Sequence, residues 1–203
     1  MQRKINWFGI AGGAGTIALI VVSLFVPWWI FKVGSGLTAG TGLIEANISP
    51  LNANFTGIGT DSFTVPLIWA LNLTTLLTLT FGGIIMLIYS FMPMKPYSKR
   101  LLDFSYKKPL YAVAFFVTSL VIITFLTKGL LGFNIPIVGS ANVQLPQAMT
   151  SGVSISVLVS ADLLWPFWLS LAVAGLCIVA RLYHRRIAPS QKPVSAQPTQ
   201  LSK

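Results

Sequence analysis

Apolar and polar positions alternate on two scales along this chain. Four long apolar runs, roughly Trp7 to Phe31, Pro66 to Met92, Pro109 to Thr127 and Leu163 to Tyr183, contain no acidic side chain, and their basic residues stand at the ends. Each run can supply the roughly 20 helical residues that about 30 Å of hydrocarbon requires. Hydrocarbon offers no partner for backbone N–H and C=O, and the runs are too continuous for barrel strands, so helices are expected. On the shorter scale, SGVSISVLVS alternates residue by residue, the period of a half-buried strand. It lies in 128–162, one of two long segments at the same end of the runs; the other is 32–65. Loops this long without secondary structure are uncommon, so both segments are expected to build one small sheet, with turns near Gly139 and near Ser151 and Gly152. The expected architecture is an all-α integral membrane protein: a four-transmembrane-helix bundle over 1–186, with a small extracellular β-rich cap formed by the two long outer loops. A short cytoplasmic loop over 93–108 joins the middle helices. IAPSQKPVSAQPTQLSK, 187–203, has no apolar period and is expected to be a disordered cytoplasmic tail.

Composition supports this picture, with 54% hydrophobic and 9% charged residues, against about 25% charged in ordinary soluble domains. The net charge of +10 raises nucleic acid as a partner. The cations, however, form short clusters between apolar runs instead of one soluble basic face, so no nucleic-acid binding is expected. Their distribution sets the orientation. Arg3 and Lys4 precede the first run, Lys95, Lys99, Arg100, Lys107 and Lys108 fill the second connection, and Arg181, Arg185, Arg186, Lys192 and Lys203 close the chain, whereas the other connections hold only Lys32 and Lys128. The positive-inside rule then places both termini and the middle loop in the cytoplasm of a multi-pass plasma-membrane protein. The first apolar run exceeds the 7 to 15 residues or so of a signal-peptide core, so it is expected to remain as a helix.

The stretch VPWWIFKVGSG marks an outer interface in this reading, with Trp28 and Trp29 in the headgroup layer and Lys32 snorkelling beyond them. Trp69, Trp165 and Trp168 are further candidate anchors. They belong to two similar phrases, TDSFTVPLIWAL and SADLLWPFWLSL, in which Asp61 or Asp162 precedes a proline suited to the first turn of a helix. Duplication of an in-out-in hairpin and convergent interface chemistry both account for them. In GIAGGAGTIA, Gly9 and Gly13 lie four apart, as do Ala11 and Gly15, giving a small-residue packing face. Its partner is the last helix of the same chain or another subunit. Sequons make Asn47 and Asn54 candidate glycosylation sites on the first outer loop, whereas the sequon at Asn72 falls inside the bilayer.

Candidate chemistry is sparse. The single histidine, His184, follows the last run in YHRR and reads as part of a solvated basic collar, while Cys177, the single cysteine, reads as an apolar filler. The four acids are Glu45, Asp61, Asp103 and Asp162; an Asp61–Asp162 carboxylate pair requires the outer loops to fold together. No spacing suggests a metal site, and no cofactor is expected. LNLTTLLTLTF puts Asn72, Thr74, Thr75, Thr78 and Thr80 in one span, but threonine can bond its own helix four residues back, and an ion path usually carries intramembrane charge. The layout resembles tetraspan surface proteins such as claudins, whose helices support an extracellular sheet. The paired first-loop cysteines of claudins are absent, so junctional adhesion and paracellular conduction do not carry over. The expected function is therefore a non-enzymatic tetraspan scaffold or accessory subunit, packing against a membrane-protein partner or a second copy within the lipid bilayer. The alternatives are a small transporter or channel component, or a cofactor-free accessory subunit of a membrane oxidoreductase.

Overall fold

The computed structural model describes residues 5–34, 44–51, 53–57, 66–131, 134–144 and 156–187. The first helix, α1 (Trp7–Phe25), begins where Asn6, with extended backbone, accepts a hydrogen bond from Gly9 N at its side chain, the usual device for satisfying a free helix-start donor. It ends at Phe25, not at Phe31. Pro27 disfavours the helical region for the residue before it, and Val26 is extended at φ −122° and ψ 122°. Trp28 and the residues after it therefore leave the helix, and Trp29–Val33 form strand β1.

The remaining elements are β2 (Ile44–Ile48), β3 (Ala53–Gly57), α2 (Pro66–Phe91), α3 (Ser98–Ser105), α4 (Lys108–Leu131), β4 (Gly139–Gln144), β5 (Ser156–Leu163) and α5 (Trp165–Ile187). Where a connecting loop was expected over 93–108, α3 stands between α2 and α4. The chain is mostly helical. Among the described residues, four helices are long and apolar enough to cross a membrane, and one five-stranded sheet has the order β3-β2-β1-β5-β4.

All the sheet's described pairings are antiparallel, and β1 is its centre. Trp29 faces Ile48 on one side and Leu163 on the other, so β1 binds strands from both long segments. Alternation decides which face is buried. Trp29, Phe31 and Val33 of β1 and Val157, Val159 and Ala161 of β5 point inward, whereas Ser156, Leu158 and Asp162 point out, as the two-residue strand period requires. Gly139 opens β4 with φ +98°, a conformation that favours glycine, at one of the turns read from the sequence. The turn expected at Ser151 and Gly152 lies outside the described residues.

The helices pack in a closed circuit: α1 and α4 each contact both α2 and α5. Such contacts depend on close approach of the helix backbones. Small residues provide it. A Cβ at Gly13 would lie 2.8 Å from Leu87 Cγ on α2, and one at Gly12 would lie 2.8 Å from Cys177 Sγ on α5. Gly83 returns the contact from α2, since a Cβ there would lie 3.2 Å from Thr16 Cβ.

Candidate functional site

Two assemblies of side chains stand at opposite ends of the helices. At the sheet end, the organising residue is Trp28, whose side chain is 0% exposed. Its backbone N–H donates to Ile48 O at 2.9 Å and its carbonyl accepts from Leu164 N at 2.9 Å, joining β2 to the start of α5. The indole Nε1 donates to Ser23 Oγ at 2.8 Å, and Ser23 Oγ donates to Leu19 O, fastening the ring to the last turns of α1. Its ring lies 5.0 Å from Phe116 on α4 and 6.5 Å from Phe167 on α5, centre to centre. One apolar cluster consequently runs from the sheet's inner face through Trp28 to Leu19, Leu79, Phe116 and Leu120 on three helices.

Trp29 is also buried. It stacks on Phe31 at 5.7 Å and donates from Nε1 to Ile137 O at 2.7 Å. Both rings, expected at an outer interface, are enclosed by protein, because Pro27 turns the chain inward before them. Lys32 does not extend past a helix end either; it lies on β1 directly across from Glu45, with Nζ 4.0 Å from Oε1. By contrast, Trp69, Trp165 and Trp168 are all exposed at the sheet ends of α2 and α5.

The sheet's outward face is mainly polar, with Ser140, Asn142 and Gln144 of β4 and Ser156 and Asp162 of β5 exposed and the Lys32–Glu45 pair on the same face. Asn47 lies half-buried in β2, and its Nδ2, the atom a glycan would modify, donates to Glu45 Oε1 at 3.1 Å. Asn54 occupies β3, an edge strand, opposite Asn47 in register. A cavity of about 50 Å³ between the end of α1 and β2 is lined by Ser23, Pro27, Asn47 and Ser49 among others. Asp162 belongs to β5, paired with Ile30, and Asp61 lies outside the described residues, as does any carboxylate pair between them.

The opposite end holds a polar knot absent from the sequence reading. Asn6 is fully buried and its Nδ2 donates to Tyr89 Oη at 2.8 Å and to Ala180 O at 3.0 Å. Tyr89 Oη in turn stands 2.9 Å from His184 Nδ1. Both amide hydrogens of Asn6 are used, so Tyr89 Oη accepts from Asn6; which partner donates between Tyr89 Oη and His184 Nδ1 follows the imidazole tautomer. α1, α2 and α5 are tied at one point. His184 is buried and fixed by this bond instead of lying in a solvated collar. The Asn6 position carried a readable signal, a cap residue directly before an apolar run. Nothing local marked Tyr89.

Gly9 adjoins this knot, and the other glycines of α1 run on from it along the helix. Gly9 sits against Ser90 Oγ, Gly13 against Leu87, and Gly15 faces Val173 of α5, where a Cβ would lie 3.0 Å from Val173 Cγ2. Cys177 is buried against Gly12. Below them, Arg181 places its guanidinium 3.2 Å from Asp103 of α3 and 4.1 Å from the centre of the Tyr106 ring. Thr74 and Thr75 donate to Ala70 O and Leu71 O of their own helix, each at 2.8 Å. Among the described residues, no group of three or more His, Cys, Asp or Glu is placed to hold a metal ion. No protein-family model matches the sequence, and no curated protein matches it.

Proposed function

We propose that this protein is a non-enzymatic membrane scaffold or accessory subunit that spans the bilayer four times and presents its sheet outside the cell to a membrane-protein partner. The observation that carries the reading is the apolar cluster organised round Trp28, which packs the sheet's inner face against α1, α2, α4 and α5. A cap built this way holds its polar outer face at a fixed height and angle above the membrane, as a presenting surface requires.

Exposed rings support the membrane placement. Trp7 and Phe25 are exposed near opposite ends of α1, and Trp69 and Phe91 near those of α2. At the helical rise per residue these pairs are separated by about 27 Å and 33 Å, close to the hydrocarbon thickness. Exposed cations gather at the end away from the sheet, including Lys95, Lys99, Arg100, Lys107, Arg185 and Arg186, which supports a cytoplasmic position for that end and for both termini. The transport alternative has less behind it, because Thr74 and Thr75 spend their hydroxyl hydrogens on their own helix.

The test is purification from native membranes in mild detergent, with the mass of the recovered species measured. A complex larger than one chain, containing a stoichiometric membrane protein or a second copy, is expected. Val157→Asp puts a charge into the sheet's inner face and should reduce that complex, whereas Ser156→Asp, on the outer face, should leave the body folded. An isolated monomer recovered under conditions that preserve other membrane complexes would reject the scaffold reading.

A further inference from the structure

α3 has three unlike flanks. Ser98, Leu102 and Ser105 are buried, and Asp103 is directed to Arg181 of α5. The third flank carries Tyr97, Arg100 and Phe104, whose spacing of three and four residues lines them up on one face; Lys108, beyond the turn at 106–107, joins them through its Nζ over the Phe104 ring. Both rings are open, Tyr97 at 45% and Phe104 at 50% exposure. Lys108 is held in place: its stem lies beside Gly82 of α2, where an added Cβ would come within 2.5 Å of it, and its Nζ stands 4.3 Å from the centre of the Phe104 ring.

The charge here is unbalanced. From Lys95 to Lys108 the chain has five cations and one acid, Asp103, and that acid already faces Arg181. A purely solvated basic face has no use for two exposed rings among its cations. Exposed rings among cations, at the mouth of membrane-length helices, match a headgroup layer, where the ring is half dry and the cation meets phosphate.

We propose that Tyr97, Arg100, Phe104 and Lys108 form a docking site for an anionic phospholipid of the surrounding bilayer. Arg100 and Lys108 hold the phosphate, and the glycerol and upper acyl chain lie along the two rings. The site rests on the membrane-spanning reading above, and deepens it by making α3 an interfacial helix that recognises lipid.

The experiment reconstitutes the full chain into phosphatidylcholine nanodiscs and titrates in phosphatidylglycerol, with bound lipid counted by native mass spectrometry. Saturable binding is expected. Arg100→Gln with Lys108→Gln should weaken it roughly thirtyfold, at about fivefold per basic contact, and Arg100→Lys with Lys108→Arg should restore most of it. Lys95→Gln with Lys99→Gln removes the same charge away from the stripe and should weaken binding less than about fivefold. Phe104→Ala should weaken binding with an unchanged helical circular dichroism spectrum. Equal losses from the two Gln pairs would reduce the effect to general surface charge and overturn the site. Displacement of the lipid by inorganic phosphate or by an oligonucleotide at equal concentration would also overturn it. Failure to insert into phosphatidylcholine discs would reject the membrane reading itself, a result distinct from insertion without selective binding.

Discussion

At the scale of single residues, Trp28 and Asn6 do the joining, and neither does it through charge. Trp28 combines two backbone hydrogen bonds, one indole bond and ring contacts from two helices. Trp28→Ala should cost about 3 to 5 kcal/mol, the range for emptying a large aromatic site, and should show as a lower unfolding midpoint in detergent. Trp28→Phe keeps most of the ring contact but loses the bond to Ser23, at about 1 kcal/mol. Trp168→Ala, at an exposed ring, should be much milder, and equal losses at 28 and 168 would remove the central role given to Trp28. Asn6 acts at the other end. Asn6→Ala removes the α1 cap and leaves Ala180 O and Tyr89 Oη without their amide donor, so a loss of about 2 kcal/mol is expected. The same change should alter the NMR signals of the His184 ring, because Tyr89 is held between Asn6 and that ring.

At the scale of elements, the four long helices were legible because their apolar runs exceed any strand, and β5 was legible because Val157, Val159 and Ala161 repeat every second residue. The boundary between α1 and β1 was harder. WIFKV continues the apolar run of α1, and periodicity cannot separate a short buried strand from one more helical turn; Pro27 was the mark of the change. The knot was hidden for another reason: its bonds join residues 83, 95 and 174 positions apart, and no local pattern records such a meeting. Small residues in α1 were visible as a face, but not that they serve two helices. Gly13→Leu should separate α1 from α2, since even a Cβ meets Leu87 closely. Gly175→Leu is the control, because nothing lies within 4 Å of the Cβ position there. Thermal unfolding in the same detergent should show a large drop for the first and little change for the second; matching midpoints would mean that close approach along α1 does not hold the helices together.

At the scale of the whole molecule, the sheet and the basic α3 segment lie at opposite ends of the helices, and everything proposed about partners depends on which end faces the cell interior. The chain's connectivity makes this one question. β1 follows α1, β4 follows α4 and β5 leads into α5, so the described strands share one side, whereas α3 follows α2 and precedes α4 on the other. The two sides differ most in exposed cations, which translocate poorly. Single cysteines report the answer directly once Cys177→Ala has removed the native thiol. Ser140→Cys on β4 and Lys107→Cys beyond α3 are suitable because both positions are exposed, whereas Ser98 is buried and donates to Pro93 O at 2.7 Å. In intact cells, a membrane-impermeant maleimide should label Ser140→Cys and spare Lys107→Cys, and permeabilisation should make the second react without changing the first. The reverse pattern would turn the protein over, putting the sheet in the cytoplasm and the proposed lipid site in the outer leaflet. Equal labelling of both before permeabilisation would mean that no bilayer separates the two ends, and the four long helices would then need a different explanation for their exposed apolar faces.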